Sequence, residues 1–157
     1  MPEEKTPLVI WVDADACPRA IRDIIELAAL RRHVHTVFVA NTYINLHESE
    51  YLRFQFVPAG PDKADDHIVD NATPADLAIT ADIPLADRLV RKGVHVVDPR
   101  GEELTEATIG ERLAMRNLLE DLRGAGLVGG GPREMDNADV RQFANAFDRY
   151  LTKRLKP

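Results

Sequence analysis

The chain has 157 residues, of which 45% are hydrophobic and 29% are charged, values ordinary for one globular domain. Its formal net charge of −6 excludes a global basic field that would attract nucleic acid, so a polyanion would need a local basic patch or a bridging cation. The single cysteine, Cys17, excludes an internal disulfide. No apolar run approaches a membrane span, and the first residues lack a signal-peptide pattern, so we expect a cytoplasmic protein without a membrane partner.

Strands alternate with helices along most of the chain. The apolar run Leu8 to Val12 is typical of a strand buried on both faces, and apolar residues at helical spacing follow it. Repetition of this pattern predicts right-handed βαβ units and a mainly parallel sheet with helices on both faces, a three-layer α/β sandwich. The predicted strands are 8–12, 35–40, 53–57, 77–80 and 94–97. The predicted helices before the C-terminal region are 18–32, 62–71 and 83–92.

The C-terminal third changes character. Thr105 opens a long helix that is predicted to run to Leu122, and a segment with five glycines follows it. We expect a single domain over 1–157, with 1–7 as a tail, 124–137 as a glycine-rich loop and 138–156 as a terminal amphipathic helix. The leucines of the long helix that are expected to face inward are Leu113, Leu118, Leu119 and Leu122.

Acidic residues follow two of the predicted strands. Asp13 and Asp15 come after the first strand, and Asp82 comes after the fourth. If these strands are adjacent, their side chains meet at the carboxyl edge of the sheet, where ligands of parallel α/β proteins bind. The candidate catalytic residues near this edge are Asp13, Asp15, Asp66, Thr80, Asp82 and Asp87.

Carboxylates held close together repel one another unless a divalent cation neutralises them. A ligand set of aspartate oxygens without histidine or cysteine favours Mg²⁺ or Mn²⁺ over Zn²⁺. These ions can generate a hydroxide and stabilise an in-line displacement at phosphorus. One interpretation is therefore a metal site made by Asp13, Asp66 and Asp82.

The alternative interpretation is that these acids are helix caps and solvated side chains. Asp15 could cap a helix that begins at Ala16, and Asp82 could cap the helix that contains Pro84. Asp87 could simply face solvent. Asp13 is harder to explain in this way because it ends an apolar run.

Three other phosphoryl-transfer chemistries do not fit the spacing. A haloacid-dehalogenase site would need its late acidic pair after the fourth strand, but Asp65 and Asp66 precede it. A cysteine phosphatase needs an arginine six positions after its cysteine, and Arg22 is one residue short. The glycine-rich loop lacks the ending of a Walker A loop and follows a helix.

Basic residues of the long helix could bind phosphate. Arg112 and Arg116 are four residues apart and share a helix face, and Arg133 follows the glycines. Interleaved acids such as Glu120 support the alternative of a solvated surface. The candidate substrate-binding residues are Arg112, Arg116, Gly130, Gly131, Arg133 and Asn41.

Five segments together resemble the YaiI/YqxD family of uncharacterised bacterial proteins, over nearly all of the chain after the tail. They are VDADACP (12–18), KADDHIV (63–69), DLAITADIPLA (76–86), MRNLLEDLR (115–123) and GGGP (129–132). That family is similar to the PIN/NYN-like nucleases, which implies a PIN-like sandwich with an acidic metal site at the strand ends. By this resemblance Asp13 is the first-strand ligand, Asp66 the helix acid and Asp82 the acid after strand four, beside Thr80.

The chain departs from the NYN-type pattern at Pro84, where a further acid tends to occur, and Asp15 or Asp87 could orient water instead. The resemblance implies a nuclease that uses Mg²⁺ or Mn²⁺ to hydrolyse RNA or another phosphate-containing substrate. A non-catalytic RNA- or nucleotide-binding module with a degenerate site is the second hypothesis. A protein-partner module that uses the terminal helix is the third.

Overall fold

The structure is a computed structural model that describes residues 7–129 and 134–156. Within these residues it contains one six-stranded sheet in the order β3-β2-β1-β4-β5-β6. The strands are β1 (Val9–Asp13), β2 (His35–Ala40), β3 (Leu52–Phe56), β4 (Leu77–Ile79), β5 (His95–Val97) and β6 (Glu103–Leu104). The helices are α1 (Arg19–Arg32), α2 (Lys63–Asn71), α3 (Ile83–Lys92), α4 (Glu106–Gly124) and α5 (Asn137–Arg154).

The predicted α/β sandwich is confirmed. Strands β1 to β5 pair in parallel, and only the short β6 is antiparallel. Strands β1 and β4 are neighbours, with Val12 opposite Ile79, so the residues that follow both strands emerge side by side. The prediction that placed Asp13 and Asp82 at one edge of the sheet depended on this adjacency.

Two hydrophobic cores occupy the two faces of the sheet. On one face Ile10 and Val12 of β1 pack with helices α1 and α5. On the other face Val37 and Val39 of β2 pack with helices α2, α3 and α4. Side chains that alternate along a strand point to opposite faces, and the continuous apolar sequence of the central strands supplies both cores. Helix layers on both faces therefore make the sandwich three-layered.

Two features of the C-terminal third differ from the sequence prediction. Strand β6 is missing from the prediction, because a two-residue strand has no periodicity to detect. The predicted inward orientation of Leu118 is wrong, because this residue of α4 is 50% exposed. In α4 only Ile109 is fully buried, while Leu113, Leu119 and Leu122 are half-buried. Helix α4 packs against α3, so its apolar residues belong partly to a surface.

Helix α5 is fixed to the turn after β5 by close backbone contact. A β-carbon on Gly101 would lie 2.8 Å from the Gln142 carbonyl oxygen, and the φ angle of +88° at Gly101 also disfavours any other residue. Arg100 in the same turn forms an ion pair with the buried Asp139 in the first turn of α5. These two contacts hold the first half of α5 against the turn after β5.

The predicted tail and glycine-rich loop fall partly on residues 1–6 and 130–133, which lie outside the described residues. Gly124 is the last residue of α4, and Asn137 is the first residue of α5, so the loop is shorter at both ends than predicted. No helix in the described ranges combines the length and the hydropathy that crossing a membrane requires.

Candidate functional site

Asp13 lies at the centre of the carboxyl edge, and its side chain is held from β4. The residue is only 5% exposed. The Thr80 hydroxyl donates a hydrogen bond of 2.8 Å to Asp13 Oδ2, and the Asp82 backbone N–H donates one of 2.9 Å to Thr80 Oγ1. Among the residues that the structure describes, Thr80 is the only hydrogen-bond donor to this carboxylate. Adjacent strand ends therefore orient Asp13 but leave most of its hydrogen-bonding capacity unused.

Asp82 is the N-cap of α3, as one of the two interpretations proposed. Its Oδ1 accepts a hydrogen bond of 3.1 Å from the Leu85 backbone N–H, and Pro84 lies in the first turn. This arrangement is the ordinary solution for the unpaired N–H groups at a helix start. The cap occupies one carboxylate oxygen, so capping and a second role at the sheet edge are compatible.

The prediction that Asp15 caps a helix from Ala16 is wrong. Asp15 lies in a short 3₁₀ turn, and α1 begins only at Arg19, with Pro18 at its N-cap. Its carboxylate instead accepts hydrogen bonds from the Asn41 backbone N–H at 2.7 Å and from the Thr42 hydroxyl at 3.0 Å. Asp15 thus ties the turn after β1 to the loop after β2.

A cavity of about 240 Å³ opens at this edge, and five aspartates line it. Asn41 and Lys63 contribute to the same wall. The aspartates are Asp13, Asp15, Asp62, Asp65 and Asp82.

Helix α2 presents Asp65, not Asp66, to this cavity. Asp66 points away and forms an exposed ion pair of 2.9 Å with Arg88. Helical spacing contains the signal that would have distinguished them, because Asp65 precedes the buried Ile68 by three residues and shares its side of the helix. The structure therefore brings Asp65 to the cavity, and not Asp66, which the KADDHIV resemblance implied.

Burial and mutual repulsion raise the pKa values of two cavity acids. Desolvation is the largest effect on Asp13 and raises its pKa to about 6; the Thr80 hydrogen bond opposes it, and Asp82 and Asp15 add to it. Desolvation also raises the pKa of Asp65 to about 6, with repulsion from Asp82 and Asp13 contributing. The cavity thus favours bound protons or another positive charge.

Asp87 lies outside this group. Its carboxylate accepts two hydrogen bonds from Arg91 one turn later in α3, at 3.0 and 3.1 Å. It does not line the cavity.

The acidic cavity can fit a metal ion only if the ion keeps some of its bound water molecules. In the described part of the chain, no three histidine, cysteine, aspartate or glutamate side chains are close enough to ligate one ion directly. Mg²⁺ commonly keeps several waters and binds protein through one or two carboxylates. Oxygen donors around a small polar cavity fit such a hydrated cation and do not fit a closed protein cage.

A larger cleft of about 680 Å³ adjoins the acidic cavity and shares Ala16 and Asp82 with it. Its opposite wall is α4. Arg112 there forms ion pairs with Glu102 at 2.6 Å and with Asp98 at 3.6 Å. Arg116 pairs with Glu120 at 3.0 Å. The arginines lining this cleft are Arg100, Arg112, Arg116 and Arg123.

Both predicted arginines of α4 thus line the same cleft beside the acids. Their ion pairs with acidic neighbours agree with the alternative of a solvated surface. The other predicted phosphate contacts, Gly130, Gly131 and Arg133, lie outside the described residues.

Cys17 does not contribute a reactive thiol to the site. Its side chain is buried, and burial raises its pKa to about 12, while Arg22 lowers the value and Asp13 raises it. A thiol with this pKa is almost entirely protonated at neutral pH.

Comparison with known proteins identifies the family. The model of the family described as "Uncharacterized BCR, YaiI/YqxD family" matches residues 11–153. The chain belongs to this family. It is 53% identical over 147 residues to the UPF0178 protein of Myxococcus xanthus, covering 94% of this chain and 96% of the relative. It is 51% identical over 144 residues to the UPF0178 protein of Ectopseudomonas mendocina, covering 92% and 97% of the two chains. No solved structure matches the chain.

The sequence resemblance to the YaiI/YqxD family is therefore confirmed over nearly the whole chain. The names of the family and of these relatives describe no reaction or ligand. The chemistry has to be inferred from the site.

Proposed function

We propose that the protein is a divalent-metal-dependent nuclease that hydrolyses phosphodiester bonds in RNA. The observation that supports this proposal best is the position of the five-aspartate cavity directly beside an arginine-lined cleft. A site that accepts a phosphodiester next to a cation needs negative groups for the cation and positive groups for the flanking phosphates.

Asp13, Asp65 and Asp82 are the proposed metal-binding acids. Asp65 replaces Asp66 in the set expected from the family resemblance, because it lines the cavity and Asp66 pairs with Arg88. Mg²⁺ or Mn²⁺ would lower the pKa of a water molecule and neutralise charge on the phosphoryl group. Some of these contacts would pass through water, in agreement with the spacing of the acids.

Other residues around the proposed metal site have separate roles. Thr80 fixes the Asp13 carboxylate through its hydroxyl group. Asp15 holds the Asn41 segment at the rim of the cavity. Arg112 and Arg116 would exchange the exposed partners Glu102 and Glu120 for phosphates, because exposed ion pairs are weak, and Arg112 would keep its contact with Asp98.

The experiment compares neighbouring acids of α2. Cleavage of a short single-stranded RNA labelled at its 5′ end is followed with Mn²⁺, with Mg²⁺ and with EDTA. We expect Asp65→Asn and Asp82→Asn to lower the rate by roughly 100-fold or more, as for loss of a group that stabilises transition-state charge. Asp66→Asn is the matched control, since it removes the same charge one residue away.

The nuclease proposal fails if neither ion supports cleavage of the RNA. The assignment of the acids fails if Asp66→Asn lowers the rate as much as Asp65→Asn. Folding of each variant is checked by circular dichroism.

A non-catalytic RNA- or nucleotide-binding module is the second candidate. It is favoured by the capping role of Asp82 and by the absence of three closely grouped ligands in the described residues. In such a module Asp82→Asn would leave RNA affinity unchanged or increase it, because a negative charge near phosphate is removed. Binding measured in EDTA together with the cleavage assay distinguishes the two candidates.

A further inference from the structure

We propose that the groove between α5 and the β5–β6 edge binds a nucleotide through its phosphate and its base. This groove encloses about 900 Å³, which lies within the range of small-molecule sites in proteins. As far as the structure describes the chain, it shares no lining residue with the acidic cavity or with the arginine-lined cleft. The proposal is therefore independent of the proposed nuclease function.

The groove exists because α5 covers the second face of the last two strands only in part, burying Val97 but not the strand edge beside it. Val96 and Leu104 pack on the core that contains α3 and α4. On the opposite face, His95 and Glu103 remain exposed beside α5. A groove therefore runs between the helix and the edge of the sheet.

Contacts of α5 with the body of the protein lie at both ends of the groove. At one end Gly101 allows the helix backbone at Gln142 to approach closely. At the other end Arg154 Nη2 donates a hydrogen bond of 3.3 Å to the Ala75 carbonyl oxygen. Because α5 is anchored at both positions, the groove has a defined width and length.

The charge of the groove favours an anion. Arg149, Lys153 and Arg154 line it from α5, and among the described lining residues Glu103 is the one acid. Glu103 lies 3.7 Å from His95 Nδ1, so its charge is partly directed toward the imidazole. Guanidinium and ammonium groups on one helix face are suited to phosphate, which accepts several charge-assisted hydrogen bonds.

The rings of the groove favour a planar group next to that anion. His95 and Tyr150 lie with their ring centroids 5.7 Å apart at an angle of 56°. Val97 and Ala146 provide apolar surface beside them. A nucleobase can stack on such rings with little dependence on its identity. A phosphate joined to a base fits both halves of the groove, whereas either part alone fits one.

The test uses 5′-AMP, adenosine and inorganic phosphate as probes, with binding to the full chain measured by calorimetry in EDTA. The variant Arg149→Gln/Lys153→Gln removes two groove charges from the surface of α5. Its matched control is Arg53→Gln/Arg141→Gln, which removes two exposed arginines that do not line the groove. We expect the groove variant to weaken AMP binding at least about tenfold, since charge-assisted hydrogen bonds are lost, and the control to change it less than about twofold.

Adenosine and phosphate should each bind more weakly than AMP. A 5′-phosphorylated dinucleotide separates two sources of the same chemistry: tighter binding than AMP indicates the end of an RNA strand, and weaker binding indicates a free nucleotide. The proposal is overturned if AMP does not bind at millimolar concentration or if both double variants bind it equally. It is also overturned if Asp13→Asn abolishes AMP binding, because the nucleotide would then occupy the acidic cavity.

Discussion

Asp13 and Asp76 are both buried aspartates of the central strands, but they lie at opposite edges of the sheet. Asp76 is 3% exposed and precedes β4 at the amino edge. It accepts hydrogen bonds from the Val9 backbone N–H at 3.1 Å, from Trp11 Nε1 at 3.1 Å and from the Thr73 backbone N–H at 2.9 Å. Within the described ranges, Asp13 accepts a hydrogen bond from Thr80 alone and has further acids as neighbours.

This difference separates a structural carboxylate from a candidate functional one. The donors around Asp76 replace the water that it loses on burial, so its charge holds β1 to β4. Asp13 is desolvated without such replacement, and nearby acids make its charge less favourable still. Unfavourable electrostatics of this kind are found at functional sites, where a bound ligand can offset them.

The largest expected effect is the loss of Asp76. Asp76→Ala leaves three N–H donors without their acceptor, so we expect the free energy of unfolding to fall by roughly 3 to 5 kcal/mol. Urea denaturation measures this change. The control Asp66→Ala removes an exposed ion pair and should cost less than about 1 kcal/mol. A cost for Asp76→Ala as small as that of the control would contradict the structural role.

Removing the charge of Asp13 is expected to raise the free energy of unfolding, whereas loss of Asp76 lowers it. The pKa of Asp13 is raised from the ordinary aspartate value of 3.8 to about 6 in the folded protein, so the folded state binds the proton more tightly than the unfolded state does. Stability of the metal-free protein therefore falls as the pH rises from about 4 to about 6, and the loss remains at higher pH. Asp13→Asn should be more stable than the wild type at pH 8, by at most about 3 kcal/mol.

This gain should disappear below a pH of about 4, where the wild-type carboxyl is also neutral in both states. Urea denaturation of both proteins in EDTA across this pH range measures it. A variant that is less stable than the wild type at pH 8 would show that Asp13 is a structural acid like Asp76.

Mn²⁺ should stabilise the wild type by relieving repulsion in the cavity. At a concentration 100 times its Kd, a cation that binds only the folded state contributes about 2.7 kcal/mol, or a rise in Tm of roughly 5 to 10 °C. Asp13→Asn and Asp65→Asn should lose this rise in differential scanning fluorimetry. Asp66→Asn should keep it, and equal behaviour of the two α2 variants would exclude Asp65 as a specific ligand.

The smallest expected effect on stability distinguishes the capping role of Asp82 from the effect of its charge. Asp82→Ser keeps a capping oxygen and removes the charge, whereas Asp82→Ala removes both. We expect Asp82→Ala to be less stable than Asp82→Ser by about 1 kcal/mol, the usual value of an N-cap. Thermal denaturation compares the two variants directly. Equal stabilities would mean that the Leu85 N–H finds another partner.

Much of the fold could be predicted from the sequence because local patterns determine it. The apolar run at Leu8 and the helical spacing of the segments between strands predicted a parallel sandwich. The helix Ile83–Lys92 was predicted with its observed boundaries, since Asp82 and Pro84 mark its start and Gly93 its end. The βα order also indicated that Asp13 and Asp82 each follow a strand, whereas the adjacency of β1 and β4 was only assumed and is shown by the structure.

Tertiary structure decided which side chains meet. It placed Asp65 in the cavity and paired Asp66 with Arg88, directed Asp15 toward Asn41, and left much of α4 exposed. Periodicity states which residues share a face of one element, but the field at a carboxylate depends on distances between elements that are far apart in sequence. For that reason the sequence determined where acids could gather, and only the packing of the strands and helices determined that Asp76 is satisfied by donors while Asp13 is left among like charges.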